Sequence, residues 1–163
     1  MKVGAIAYRN NANGVELCFV SSHRHKGAIT LPKGIVKPNE QLAKAATREL
    51  FEEAGVTGKV KRKSYPLFFT SNKIGIEDIL YFFVKITAVQ ENWPEANHRN
   101  RVFLTVNEAS SRATSRGTRE VLNCFMREHT EAVEGPRSNT FNIPILPRFL
   151  WLKKFHLLEN KNN

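Results

Sequence analysis

Three glutamates, Glu49, Glu52 and Glu53, crowd the stretch ATRELFEEAGV. A helix turns about 100° per residue, so this spacing gathers the carboxylates on nearly one side. The arrangement is costly. Glu49 and Glu53 form a like-charge i,i+4 pair, unfavourable by roughly 0.2–0.5 kcal/mol. Acids in a last turn also oppose the helix dipole, by roughly 0.3–1 kcal/mol each, and burial raises the penalty. Arg48, four residues before Glu52, is expected to offset one of the three charges. A divalent cation resolves the remainder, because clustered carboxylate oxygens are hard ligands suited to Mg²⁺ or Mn²⁺. A carboxylate left off the metal can take a proton from an attacking water. The competing reading of the three glutamates alone is a solvated acidic helix face.

These carboxylates need a helix to carry them. The sequence predicts one over about 40–54, with Gly55 as its C-terminal cap. Leu42, Ala45 and Ala46 give it an apolar side that becomes acidic toward the end. Residues 3–8 and 15–22 are rich in Val, Ile, Leu and Phe, and NNANG between them signals a turn, which predicts a hairpin. A basic loop, SSHRHKGAITLPKG, leads to the helix. Strands are predicted near 58–70 and 76–89, and the unbroken apolar run ILYFFVKI reads as buried on both faces. ENWPEANHRN is a polar loop and RVFLTV a short strand. Asn107 is expected to cap a helix starting at Glu108, and a further helix is expected over about 117–130. This element pattern makes residues 1–133 one α/β (α+β) domain. The Pro- and aromatic-rich stretch 134–163 is expected to pack back on it through Phe149, Leu150, Trp151 and Phe155.

At 163 residues the chain can bury a substantial core. Its hydrophobic and charged fractions, 41% and 25%, are ordinary, but its formal net charge is +10. Such a surplus suits a polyanionic partner: nucleic acid, a polyphosphate or a membrane surface. Cys18 and Cys124 supply neither a disulfide framework nor zinc-ligand spacing. No apolar run reaches the ~18 residues of a membrane span, and the apolar start is short for a signal peptide. The expected compartment is the cytoplasm.

Gly34, Glu40 and the run Arg48-Glu49-Leu50-Phe51-Glu52-Glu53-Ala54-Gly55-Val56 resemble the Nudix box, G-x5-E-x7-R-E-U-x-E-E-x-G-U, at every specified position. The resemblance implies a mixed β-sheet sandwiched between helices, and hydrolysis of a diphosphate linked to another moiety with Mg²⁺ or Mn²⁺. It implies Glu49, Glu53 and the Gly34 carbonyl as metal ligands, and Glu52 as the base or a shared metal ligand. Arg48 would orient the glutamates, and Glu40 would support the start of the helix.

Outside the box, VSSHRHKGAITLPKG and ENWPEANHRNRVFLTVNEA resemble segments of diphosphoinositol polyphosphate phosphohydrolases. That likeness implies phosphate contacts from Lys2, Ser21, Ser22, Arg24, Arg99 and Arg101. A basic rim of Arg9, Arg24, Lys26, Lys33, Lys73, Arg99 and Arg101 would draw in such a substrate. The LPKG segment, with Lys33 beside Gly34, is more like the asymmetrical diadenosine tetraphosphate hydrolases. His23 and His25 read as packing residues. Tyr65, Phe68, Phe69, Tyr81 and Trp93 either stack on a base or fill the core. The readings are therefore a diphosphoinositol polyphosphate-type hydrolase, a dinucleoside polyphosphate hydrolase, an RNA 5′-end pyrophosphohydrolase, and a nucleotide-binding module without turnover.

Overall fold

The computed structural model describes residues 1–12, 14–23, 25–61, 67–69, 79–113 and 116–134. Strands β1 (Lys2–Asn11) and β2 (Gly14–Ser21) form the expected antiparallel hairpin, in register from Tyr8 opposite Leu17 to Asn11 opposite Gly14. Strands β3 (Ile29–Thr30) and β4 (Lys33–Ile35) lead into helix α1 (Leu42–Ala54). Then come β5 (Val56–Val60), β6 (Leu67–Phe69), β7 (Ile79–Val89) and β8 (Arg101–Thr105), followed by α2 (Val106–Arg112) and α3 (Arg116–Glu134). The sheet is mixed: β1 and β7 run parallel, and the other pairs are antiparallel.

Strand alternation divides the core between the two faces of this sheet. Val3, Ala5 and Ala7 of β1, with Leu80, Phe82 and Val84 of β7, pack with Ala45, Ala46, Leu50 and Ala54 of α1. Ile6 and Tyr8, with Tyr81 and Phe83, pack on the opposite side with Val121, Leu122 and Phe125 of α3. Strand β7 is therefore buried on both faces from Leu80 to Val84, as its unbroken apolar run predicts. The sandwich of helices around a mixed sheet follows directly.

One cap differs from expectation. Thr105, not Asn107, is the N-cap of α2, and its hydroxyl accepts from the Glu108 N–H while the Glu108 carboxylate accepts from the Thr105 N–H. This reciprocal box satisfies two otherwise orphaned donors, which a lone Asn107 cap would not. The segment 135–163, including Phe149, Leu150, Trp151 and Phe155, lies outside the described residues, as do Arg24 and Lys73.

The sheet parts where the site forms. Tyr8–Asn11 of β1 pair with β2, but Lys2–Gly4 pair with β4 instead, with Val3 opposite Gly34. The Ala5 N–H extends this pairing to the Pro32 carbonyl at 2.9 Å. The short strand bearing Lys33 and Gly34 thus enters the fork between β1 and β2, beneath α1.

Candidate active site

Helix α1 ends with its carboxylates beside that fork, and its end is closed from a distance. A helix leaves its last four carbonyls without helical partners. The Gly55 N–H, with Gly55 at φ 64°, donates to the Phe51 carbonyl. The Glu95 N–H donates to the Glu52 carbonyl at 3.1 Å, and the Trp93 Nε1–H to the Glu53 carbonyl at 3.1 Å. The Arg101 guanidinium donates to the Ala54 carbonyl at 2.6 Å and to the Gln90 carbonyl at 2.8 Å. Arg101 also brings a positive charge to the negative end of the helix, where it is favourable, and lies 4.5 Å over the Trp93 ring. The loop 91–100 thus satisfies the Glu52 and Glu53 carbonyls, and Arg101 at the start of β8 that of Ala54.

The three carboxylates take different surroundings. Glu49 lies over Gly34: a Cβ built on Gly34 would overlap all three atoms of the Glu49 carboxyl group. Only a glycine leaves room for this approach. Glu53 is buried, at 5% exposure, and accepts from the Lys33 N–H at 3.1 Å and from Arg99. Burial pushes its pKa up, against the opposing pull of Arg99 and the Lys33 amide. Glu52 is the most open, its side chain 34% exposed, with Lys37 Nζ 3.8 Å away.

Arg48 binds this cluster together. Its guanidinium donates to Glu49 at 2.7 Å, to Glu52 at 2.8 Å and to both oxygens of Glu40, at 2.7 and 2.9 Å. It also donates to the Ile35 carbonyl at 3.0 Å. Arg48 brings one positive charge, as expected, but its fork of donors shares that charge among three carboxylates, Glu40 as well as Glu49 and Glu52, and leaves Glu53 to Arg99. The hydrogen bonds from Arg48 hold the Glu40 carboxyl down at about 2. Glu40 accepts in addition from the Lys37 N–H at 3.0 Å, which closes the turn before α1, where Asn39 has φ 60°. Box residues far apart in sequence thus form one ionic unit from Ile35 to Glu52.

The remaining candidates are distributed unevenly. Arg99 reaches Glu53, Glu95 at 2.8 Å and the Ser21 carbonyl at 2.9 Å. Ser21 Oγ accepts from the Asn100 N–H at 3.1 Å, and Ser22 Oγ from the His25 N–H at 3.3 Å. Lys33 Nζ donates to Thr30 Oγ1. Lys2 sits beside the fork, opposite Ile35 on β4 and Ile79 on β7. Lys26 is exposed in the loop before β3. Arg9 is set apart: it pairs with Glu16 at 2.8 Å and lies 3.7 Å over Phe103. With Gly4 opposite Lys33, Arg9 is five residues along β1 from the site, or ~16 Å at strand rise. His23 lies 3.8 Å from Glu95 and His25 is exposed in the turn. Tyr81 is core, while Trp93 seats on the helix end. The side chains of Tyr65, Phe68 and Phe69 lie outside the description.

The donor set suits a hard divalent cation: carboxylate oxygens of Glu49, Glu52 and Glu53 rise from one helix end beside a glycine that leaves space for one of them. Among the described residues no three acidic, His or Cys side chains converge on a point; Arg48 donates to Glu49 and Glu52, and Arg99 to Glu53. The sequence indicated the carboxylates but not Lys37, Trp93 and Glu95 as their neighbours. The single local sign was Glu95 four residues before Arg99.

Residues 1–125 match the NUDIX domain. The chain belongs to the Nudix family. Nudix hydrolases act on phosphoric anhydride bonds and generally use divalent metal ions. The chain is 34% identical to Nudix hydrolase 4 of Arabidopsis thaliana over 76% of its own length and 64% of that protein's. It thus spans under two thirds of that relative, and likewise 65% of Nudix hydrolase 21, chloroplastic, from the same plant. It is 29% identical to diphosphoinositol polyphosphate phosphohydrolase 2 of Rattus norvegicus, over 81% of this chain and 72% of the rat protein. The fold matches a C. elegans Ap4A hydrolase with a TM-score of 0.67, covering 80% of this chain and 98% of that one, at 21% identity. No helix among the described residues is long and apolar enough to cross a membrane.

Proposed function

We propose that this Nudix protein is a hydrolase that cleaves a diphosphate linkage in a polyphosphorylated small molecule, of the diphosphoinositol polyphosphate type, with Mg²⁺ or Mn²⁺. The observation that carries the reading is the complete carboxylate set at one helix end, tied to Gly34 and Arg48. A module that only binds its ligand would not need to hold three carboxylates together at this cost.

Glu49, Glu53 and the Gly34 carbonyl would hold the metal, with Glu52 as a shared ligand or as the base. Bound there, a divalent ion supplies charge neutralisation for the diphosphate oxygens. Glu52, the most open carboxylate, is suited to accept the proton of the attacking water. Arg48 keeps Glu49 and Glu52 oriented, and Glu40 keeps Arg48 in place. The net charge of +10 favours a polyanion. Lys2, Ser21, Ser22, Arg24, Lys26, Lys33, Lys73 and Arg101 are proposed as phosphate contacts, with Arg9 as a distant steering charge. Residues 1–133 form the catalytic domain in this reading.

A second reading, a dinucleoside polyphosphate hydrolase, is favoured by Lys33 in LPKG, whose backbone N–H meets Glu53 and whose side chain lies beside Thr30. The test is a mass-spectrometric turnover screen with Mg²⁺ and with Mn²⁺. It would include a diphosphoinositol polyphosphate, diadenosine tetraphosphate and 5′-triphosphate RNA, each beside Glu52→Gln. Orthophosphate from the diphosphoinositol is expected, with a loss of ~10²–10⁴-fold in the variant. ATP and AMP from diadenosine tetraphosphate would favour the second reading, and release of phosphate or pyrophosphate from RNA would overturn both. Tight binding without turnover of any substrate would make the protein a sensor. We also propose a cytoplasmic location on the two free thiols. Relatives named chloroplastic and mitochondrial make cell fractionation its test.

A further inference from the structure

We propose that Arg99 is a positioning residue for Glu53, not a contact for substrate phosphate. The assignment rests on the hydrolase reading above and adds a residue outside the Nudix box to its machinery. Arg99 is nearly enclosed, its side chain 10% exposed, although arginine is rarely buried without partners. Each of its nitrogens is committed. Nε donates to Glu95 at 2.8 Å, one terminal nitrogen donates to the Ser21 carbonyl at 2.9 Å, and the other to Glu53 Oε1. The other Glu53 oxygen accepts from the Lys33 N–H at 3.1 Å. Glu53 is therefore held from both sides, by the backbone of β4 and by a guanidinium anchored to β2 and to the loop 91–100.

A phosphate approaching Arg99 would compete with two carboxylates and a carbonyl for a guanidinium that is nearly enclosed. That geometry suits fixing Glu53, not gripping a mobile anion. A metal-ligating carboxylate is itself oriented by hydrogen bonds, and loss of such an outer partner typically costs ~10–100-fold in metal affinity or activity. The same loop also supplies the Trp93 and Glu95 contacts that close the end of α1. Arg99 thus ties the carboxylate to the same support that fixes its helix.

The deciding experiment titrates Mn²⁺ into the protein without substrate, by electron paramagnetic resonance, for the parent, Arg99→Gln and Arg99→Lys. Thermal melts check folding. The Kd for Mn²⁺ is expected to rise ~10–100-fold in Arg99→Gln, with partial recovery in Arg99→Lys. Glu95→Gln leaves the contact between Arg99 and Glu53 in place, and is expected to give a smaller rise even if Arg99→Gln fails to fold. With the substrate found by the turnover screen, kcat should fall in Arg99→Gln at saturating Mn²⁺ while KM changes little. A raised KM with unchanged Mn²⁺ affinity would overturn the assignment and restore Arg99 as a substrate contact. A parent that binds no Mn²⁺ would overturn the hydrolase reading and this assignment together. A parent that binds, with every variant unchanged, would overturn the assignment alone.

Discussion

Gly34→Ala adds one methyl group, and the structure says where it goes. The new Cβ would occupy the space of the Glu49 carboxyl group. Gly34 is not among the positive-φ glycines, so alanine meets no backbone strain there. The effect must therefore pass through Glu49. To clear the methyl, Glu49 would have to move and would disturb its 2.7 Å hydrogen bond from Arg48. Overpacking of this kind costs about 1–3 kcal/mol, or roughly 2–4 °C of Tm per kcal/mol for a chain of this size. Function should suffer far more than stability, because a displacement of ~1 Å in a catalytic site can cost ~10²-fold in rate. The assay is paired: turnover of the best substrate and Mn²⁺ affinity on one side, thermal melting on the other. A folded variant with at least ~10²-fold lower kcat/KM and weakened Mn²⁺ binding is expected. Turnover and Mn²⁺ affinity within ~3-fold of the parent would refute the claim that Glu49 must sit over Gly34.

Three further outcomes follow from the same geometry. Glu40 titrates near 2 in the folded protein, below the ordinary value of 4.5. Its contribution is thus complete above pH 4.5 and fades as pH falls toward 2. Glu40→Gln should destabilise by about 1–3 kcal/mol at pH 7, and denaturant melts should show the gap to the parent closing across that acid range. A gap independent of pH would contradict it. Cys18 is fully buried, and burial pushes its thiol up to about 12. Disulfide reagents at pH 8 should therefore modify Cys124 first and Cys18 only on unfolding, whereas equal rates would refute the burial argument. Trp93→Phe keeps an aromatic ring but removes the donor to the Glu53 carbonyl. It should cost about 1–3 kcal/mol in chemical denaturation, and an unchanged midpoint would show that water replaces the indole N–H freely.

What could be read in the sequence was local. The spacing of Glu49, Glu52 and Glu53 was legible because one helix carries all three, and Gly55 was legible because a left-handed cap needs no distant partner. The box Thr105-x-x-Glu108 was equally local, and Asn107 drew attention only as another capping residue type. The contact of Arg48 with Glu40 was harder to see. Counting along the helix finds Glu52 at i+4 but misses Glu40, which lies before the helix and reaches Arg48 only once the turn at Asn39 brings it round. The end of α1 was less legible still. No spacing within the helix shows that Trp93, Glu95 and Arg101 will satisfy its final carbonyls, since β5, β6 and β7 intervene in sequence. Arg99 shows the consequence. A positive residue in a basic loop suggests a phosphate contact when only its charge is known. Its enclosure and its hydrogen bonds to Glu53, Glu95 and the Ser21 carbonyl appear only when β2, α1 and the loop are brought together. Charge thus points to a class of ligand, while the number of partners a charge already has decides whether it can meet that ligand.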